Sequence, residues 1–340
     1  MVWYEHENPN GSVVWSTRIR LAANLASSPF PARLTSSGRE EAANKIKSIF
    51  EGNQNYSIMQ IDRLTPLERA AFTEAHMASP AFMQGDLAGR LLILSSDGEC
   101  AIMVNEEDHI RLQCIKVGYQ PQEAYKKALD VFRFMEEKLE FSFDPELGYL
   151  THCPTNLGTG MRASLMMHLP SLAHFERMPA LSNALNKAGF TLRGLYGEGT
   201  MPGGGIYQLS NQISRGFSEE ELIKRLMKVA EQVVQAEEEG RKERKEKEGI
   251  SLEDRIFRAL GVLRHARTLT STEMYALISD VRMGVAMGLI NDVNMSNLDQ
   301  LLIDMLPAKL TLANGEADNA AARDAIRAEN MRIALKEVKN

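Results

Sequence analysis

Five arginines and two acidic turns are where this sequence places residue types able to do chemistry. Arg18 and Arg20 stand two apart in Ser16-Thr17-Arg18-Ile19-Arg20, and Arg111 follows Asn105-Glu106-Glu107-Asp108-His109-Ile110. Arg162 closes the run Asn156-Leu157-Gly158-Thr159-Gly160-Met161, and Arg193 opens Gly194-Leu195-Tyr196-Gly197-Glu198. Strand alternation puts Arg18 and Arg20 on one face, so both can reach one polyanion. A guanidinium is permanently charged and forks onto phosphate oxygens, so a cluster of them suits a triphosphate. By spacing alone, unrelated surface arginines would read the same way.

The carboxylates divide between two turns, with Glu106, Glu107 and Asp108 in one and Glu198 in the other, which is flanked by glycine. A carboxylate pair can hold the planar N–H donors of a guanidinium, orient one nitrogen and accept its proton as a P–N bond forms. Like-charge crowding would raise one of the pKa values and help that group act as a base. An ordinary solvated acidic turn has the same composition. The sequence carries no G-x-x-x-x-G-K-[ST] loop and no H-R-D or D-F-G set, and in Gly197–Gly205 Pro202 stands where a third glycine of G-x-G-x-x-G would fall. That stretch reads as a mobile loop over a site.

These residues need elements to position them. Cys100–Val104 is a continuous apolar run and Ile110–Val117 alternates, which predicts a β-hairpin with the acidic turn at its tip. Phe190–Leu195 and Gly205–Ile213 predict a second strand pair, while Arg162–His168 and Leu181–Ala188 read as helical. The fold class expected is α+β, an antiparallel sheet flanked by helices, followed by a small all-helical unit. Ser218-Glu219-Glu220-Glu221 predicts a capping box, after which Leu222, Leu226, Val229 and Val233 share one helix face. The charged run Glu237–Glu248 reads as a solvated helix or linker and as the best domain boundary, dividing a unit over 13–240 from one over 250–340.

Composition bounds the rest. The 340 residues suffice for two domains, and a net charge of −6 argues against a general nucleic-acid partner. No apolar run reaches membrane-spanning length, and the N-terminus lacks a signal peptide's basic-then-apolar pattern. Cys100, Cys114 and Cys153 cannot build a disulfide framework and form no C-x-x-C metal pattern, so a reducing cytoplasm is expected.

Asn105–Arg111, Cys153–Arg162, Arg193–Glu198 and Ser16–Arg20, four matches in order, resemble the signature segments of the phosphagen (guanidino) kinases. The resemblance implies that Arg18, Arg20, Arg111, Arg162 and Arg193 bind the phosphates of ATP, carried with Mg2+, and that His76 adds a nucleotide contact. It extends the nucleotide site to Ser16, Thr17, Ile19, Ala163, Ser164, Leu165, Met166, Gly194, Leu195, Tyr196, Gly197 and Glu198. It makes Glu107 the base, Glu198 the second guanidinium-binding carboxylate and Cys153 a thiol near the substrate. With fifteen residues ahead of Ser16, no helical domain is expected before the Ser16–Arg20 strand, and Arg323-Asp324-Ala325-Ile326-Arg327-Ala328 resembles a phosphoarginine-binding motif; both features point to the branch that phosphorylates arginine on proteins. In that motif Arg323 and Arg327 would clamp the phosphoryl group, with Asp324, Ile326 and Ala328 completing the site. The branch further implies an allosteric enzyme of the stress response, with unfolded proteins and a heat-shock repressor as substrates. Clp protease machinery, an activator protein and a homodimer are the partners it suggests. Two departures stand out: Ala23 replaces a usual arginine, a loss of one cation near the site, and Thr200-Met201-Pro202 lacks a usual acidic residue. The alternatives are a kinase of free arginine or another small guanidino compound, and an inactive phosphoarginine-binding adaptor.

Overall fold

The computed structural model describes residues 2–8, 11–194, 203–315, 317 and 319–336. Its frame is an eight-stranded antiparallel sheet. Strands β1 (Val14–Ala23), β2 (Tyr56–Gln60), β3 (Leu91–Ser95), β4 (Cys100–Val104) and β5 (Ile110–Val117) come first. A two-residue pair, β6 (Phe143–Asp144) and β7 (Gly148–Tyr149), stands apart, and β8 (Met161–His168), β9 (Phe190–Gly194) and β10 (Ile206–Asn211) complete the sheet in the order β2-β3-β4-β5-β1-β8-β10-β9. Both expected strand pairs form, β4 with β5 and β9 with β10.

Residues 162–168, expected to be helical, are instead most of β8, between β1 and β10 at the middle of the sheet. Met161, Ala163, Leu165 and Met167 are buried on one face and Arg162, Ser164 and Met166 point to the other, a period of two that the many methionines of this stretch obscure.

One face of the sheet is mainly apolar. Ile19, Leu21, Leu112 and Leu165 pack there against α1 (Ser36–Ser48), α3 (Pro121–Glu136) and α6 (Glu219–Glu248). Ala23 belongs to this buried side as well, so an alanine there takes no cation away from the opposite, arginine-bearing face, contrary to expectation. Cys100 and Cys114 face each other across β4 and β5 with Cα atoms 4.2 Å apart and are joined as a disulfide. Three cysteines were expected to build no disulfide framework, and this single pairing arises because register places positions 14 apart in sequence side by side.

The other face is shared. Ile115, Val117, Met166 and Ile206 are covered by Trp3 and Tyr4 and by a helical layer formed from α7 (Ile250–His265), α8 (Ser271–Ala286), α9 (Met295–Asp304), α10 (Pro307–Asn314) and α11 (Ala320–Ala334). The short helices α2 (Pro66–Glu74), α4 (Pro170–His174) and α5 (Met178–Lys187) fill the margins. Ser218 caps α6 with the reciprocal Glu221 contact that its sequence announces. The charged run of α6 differs from expectation, since Glu237, Arg241 and Arg244 are buried. Glu237 accepts the amide N–H groups of Ser171 and Leu172, and Arg241 bonds Glu237 at 3.0 Å and donates to the Ser12 carbonyl at 3.0 Å. No described helix is long and apolar enough to cross a membrane.

Candidate active site

Register assembles the arginines. On β1, Arg20 lies opposite Gln113 of β5 and Arg162 of β8, Ala22 lies opposite Arg111, and Arg18 lies opposite Ser164. Arg193 on β9 faces Gln208 on β10, which in turn faces Met166. Five residues scattered over 175 positions therefore share one face of one sheet. Arg18 donates to Gln208 Oε1 at 2.9 Å and Arg162 to Ser210 Oγ at 3.1 Å, both neutral partners. Arg111 pairs with Glu106, which also accepts from Ser79. The Nε atoms of Arg20 and Arg162 are buried without a hydrogen-bond partner.

Crowding shows in the electrostatics. Burial, then Arg111 and Arg162, pull the Arg18 guanidinium down to about 10. Arg20 is held well below its ordinary value by burial and by Arg18, Arg111 and Arg162, with Glu106 opposing. Arg162 is lowered by burial and then by Arg193 and Arg111. Glu106 and Glu107 are outnumbered by the guanidinium groups, which leaves a positive potential inside a partly desolvated cleft and favours a polyanion.

His76 is the C-terminal punctuation of α2. It adopts a left-handed conformation (φ 58°) just past the helix end, and the Met77 N–H closes back onto the Phe72 carbonyl. Its carbonyl accepts from Gln113 Nε2 at 2.7 Å, which fixes the imidazole beside the arginines. Burial, then Arg18, push its pKa down to about 4, so the ring is neutral at pH 7.

The acidic turn is held from beneath. Asn105 sits at φ 61° and donates to the carbonyls of Arg39 and Gly89. Asp108 is fully buried and accepts from Asn24 Nδ2 at 2.6 Å and from the His152 amide at 2.7 Å. Asn24 Oδ1 takes the His109 amide N–H at 2.9 Å. This network ties the end of β1, the acidic turn and the loop before Cys153 together, and so brings Glu107 and Cys153 to one small cavity of about 230 Å³ with Arg20, Arg111 and Arg162. Cys153 Sγ lies 3.0 Å from Thr155 Oγ1. Burial, then Asp108 and Glu106, hold the Glu107 carboxyl above its ordinary value, against the pull of Arg111 and His152. Sequence reasoning did not single out Asn24, Gln113 or the buried role of Asp108; the only signal was that Asp108-His109 interrupts an otherwise solvated-looking turn.

A second cavity, of about 800 Å³, shares Arg20 and Arg111 with the first and adds Arg18, His76, Gln113 and Ser79. One compartment is cationic and, at about 800 Å³, roomy enough for a nucleotide, and the other carries a carboxylate and a thiol. A cavity of similar size between α2 and α10 is more apolar and contains none of these arginines.

Not every residue expected at the nucleotide points to the arginine face. Thr17, Ile19, Ala163 and Leu165 point to the opposite face; Thr17 Oγ1 donates to the Gly118 carbonyl at 2.7 Å and the other three are core residues. The alternation that aims the arginines inward turns these neighbours away. Ser16, Ser164 and Met166 share the arginine face, and Gly194 ends β9. Leu195, Tyr196, Gly197 and Glu198, with Thr200–Pro202, lie outside the described residues.

The C-terminal arginine pair is also not the open clamp expected. Arg327 is 1% exposed and donates to the Met305 carbonyl at 2.8 Å, the Leu269 carbonyl at 2.6 Å and Asp324 at 2.6 Å. Ala328 is buried, Ile326 half-buried, and Arg323 donates to the Ala317 carbonyl at 3.3 Å. An interior guanidinium needs acceptors, and the helical layer supplies them from within.

Residues 39–240 match the family model of the ATP:guanido phosphotransferase C-terminal catalytic domain, and residues 249–340 match that of the protein-arginine kinase McsB C-terminal domain. A protein-arginine kinase of Syntrophomonas wolfei is 41% identical over 98% of this chain and 95% of its own length. One from Symbiobacterium thermophilum is 40% identical over 98% and 96%. Among solved structures, the duplicated taurocyamine kinase from Schistosoma mansoni, with bound transition-state-analogue components, superposes with a TM-score of 0.59 at 28% identity, over 66% of this chain and 33% of that one. Lombricine kinase gives 0.59 at 22% identity, over 68% of each chain, a likeness of fold.

Proposed function

This chain belongs to the ATP:guanido phosphotransferases and, among them, to the protein-arginine kinases, and from that premise we propose that it transfers the γ-phosphoryl of ATP to an arginine side chain of another protein. The observation that carries this is the meeting of the two cavities at Arg20 and Arg111, one compartment suited to a polyphosphate and the other holding Glu107.

In this mechanism the arginine face neutralises the phosphates and holds them in line with the acceptor, which is most of what such a transfer requires. Glu107 orients the acceptor guanidinium by accepting its N–H groups. An Nη lone pair attacks the γ-phosphorus, the P–N bond forms, the bond to the ADP oxygen breaks, and the proton leaving nitrogen passes to the Glu107 carboxylate. The raised Glu107 pKa suits a proton acceptor, and Arg20, Arg111 and Arg162 balance the charge that gathers on the departing diphosphate. Among the described residues no group of three His, Cys, Asp or Glu side chains could hold a metal ion. Mg2+ would therefore ride on the nucleotide's own oxygens and water, as that ion commonly does, and would supply further charge neutralisation there.

Sequence likeness supports several finer readings: unfolded proteins and a heat-shock repressor as substrates, delivery to a Clp protease, a stress-response role, an activator, a homodimer, allosteric control by phosphoarginine and a cytoplasmic location. Mass spectrometry of an unfolded protein incubated with ATP and the enzyme, handled without acid to preserve P–N bonds, tests the central reading. Phosphoryl groups on arginine are expected. Transfer to free arginine alone would make the acceptor a small molecule, and no transfer with intact nucleotide binding would leave a binding protein.

A further inference from the structure

The 800 Å³ cavity that holds Arg18, Arg20 and Arg111 is closed on its far side by the helical layer: Ser271, Thr272 and Tyr275 of α8, then Leu306 and Pro307. All five lie outside residues 39–240, the part that matches the phosphotransferase family model. The layer is tied both within itself and to the sheet. Ahead of α8, the Leu269 N–H donates to the Asp324 carbonyl at 3.0 Å and the Leu269 carbonyl accepts from Arg327 at 2.6 Å. Thr270 then caps the helix by accepting the Glu273 N–H at 3.2 Å. Farther along, Ser279 Oγ lies 2.8 Å from His168 Nε2 on β8, and Arg282 donates to the Gly11 carbonyl at 2.8 Å while pairing with Asp299 at 2.8 Å. At the foot of β10, Gly204 has φ 64°, and any side chain there would come within 2.7 Å of the Tyr275 carbonyl oxygen. Glycine alone allows that approach.

With the phosphates at the arginine end, the remaining wall carries Ser271 and Thr272 beside Tyr275, Leu306 and Pro307, together with Thr73 and Glu74 of α2. Apolar lining with a few placed polar groups is what a nucleoside needs. We propose that the helical layer forms the nucleoside half of the nucleotide site, with Ser271 and Thr272 bonding the sugar or base and Leu306 and Pro307 packing on it. This rests on the reading that ATP phosphates occupy the arginine face. It makes the nucleotide a bridge between sheet and helical layer, so movement of α8 relative to the sheet changes ATP affinity and ATP binding in turn holds α8 in place.

The test is calorimetric titration of ATP and, separately, of inorganic tripolyphosphate into the full chain and two variants, the double variant Ser271→Ala/Thr272→Ala and the cavity-filling Thr272→Trp. Tripolyphosphate reports the arginine face without a nucleoside and serves as the folding control. The double variant should weaken ATP binding about two- to tenfold, Thr272→Trp should weaken it further, and tripolyphosphate affinity should be unchanged in both. KM for ATP should rise in step while kcat at saturating ATP holds. Unchanged ATP affinity in both variants overturns the proposal, and so does an equal fall in ATP and tripolyphosphate affinity, which would mark loss of structure. A wild-type protein that binds neither ligand would overturn the phosphate reading of the arginine face, a separate failure.

Discussion

The half-buried arginines of the sheet face and the deeply buried arginines of the helices are treated in opposite ways. In the helices each deeply buried guanidinium has a carboxylate: Arg241 with Glu237 at 3.0 Å, Arg244 with Glu248 at 2.8 Å, Arg282 with Asp299 at 2.8 Å and Arg327 with Asp324 at 2.6 Å. On the sheet, Arg18 and Arg162 lean on the neutral Gln208 and Ser210, and Glu106 is paired with Arg111. Paired charges hold a structure together. Charges gathered without counter-ions raise the energy of the unliganded protein and release it when a polyanion arrives, which separates a binding surface from a strut without reference to motif.

The largest effect should come where the cationic face meets Glu107. Glu107→Gln should cut the single-turnover transfer rate by roughly 10²- to 10⁴-fold while ATP affinity stays near wild type, because the arginines are untouched. A near-wild-type rate would place the proton acceptor elsewhere.

The comparison itself is tested by one variant from each region. Asp299→Ala strands Arg282 in the interior and should cost about 3–5 kcal/mol of stability, measured by urea unfolding. Arg20→Ala removes one of several crowded like charges, so its melting temperature should be unchanged or raised. The same change should weaken ATP binding by about ten- to a hundredfold, the worth of a charge-assisted contact of roughly 1.5–3 kcal/mol. Equal destabilisation by both variants would erase the distinction.

The smallest effect sharpens it by pH. His76 beside Arg18, and His168 beside Arg282 and Arg241, both have lowered pKa values, mainly through burial. His76 is drawn to about 4 from an ordinary 6.5, so the folded protein binds fewer protons than the unfolded chain between those values. Stability from His76 is therefore complete above about pH 6.5 and drains away as pH falls toward 4. Bound nucleotide reverses the local potential, so NMR titration should show the His76 pKa rising with ATP and the His168 signal staying neutral. A His76 titration indifferent to ATP would remove it from the phosphate site.

Much of this was legible in the residues. Alternation showed Arg18 and Arg20 on one face, and the hairpin around Glu107 and the Ser218 cap formed as read, because each depends on neighbours two to ten positions away. Arg162–His168 was misread as helix because Met and Leu suit a buried strand as well as a helix, and burial on both faces is a property of place in the sheet. Arg327 was read as half of a phosphoryl clamp, and the Met305 and Leu269 carbonyls that enclose it come from residues distant in sequence.

What the sequence alone determined is which residue types stand at which local offsets, and hence the strands, caps and acidic turn, since backbone sterics and side-chain period act over a few residues. What only the tertiary structure decided is the company those residues keep. Strand order and register set Arg20 against Arg162 and Cys100 against Cys114, gave Arg18 and Arg162 the neutral partners Gln208 and Ser210, and supplied Arg327 with carbonyls. Burial and Coulomb energy depend on distance through space, and sequence separation does not encode it.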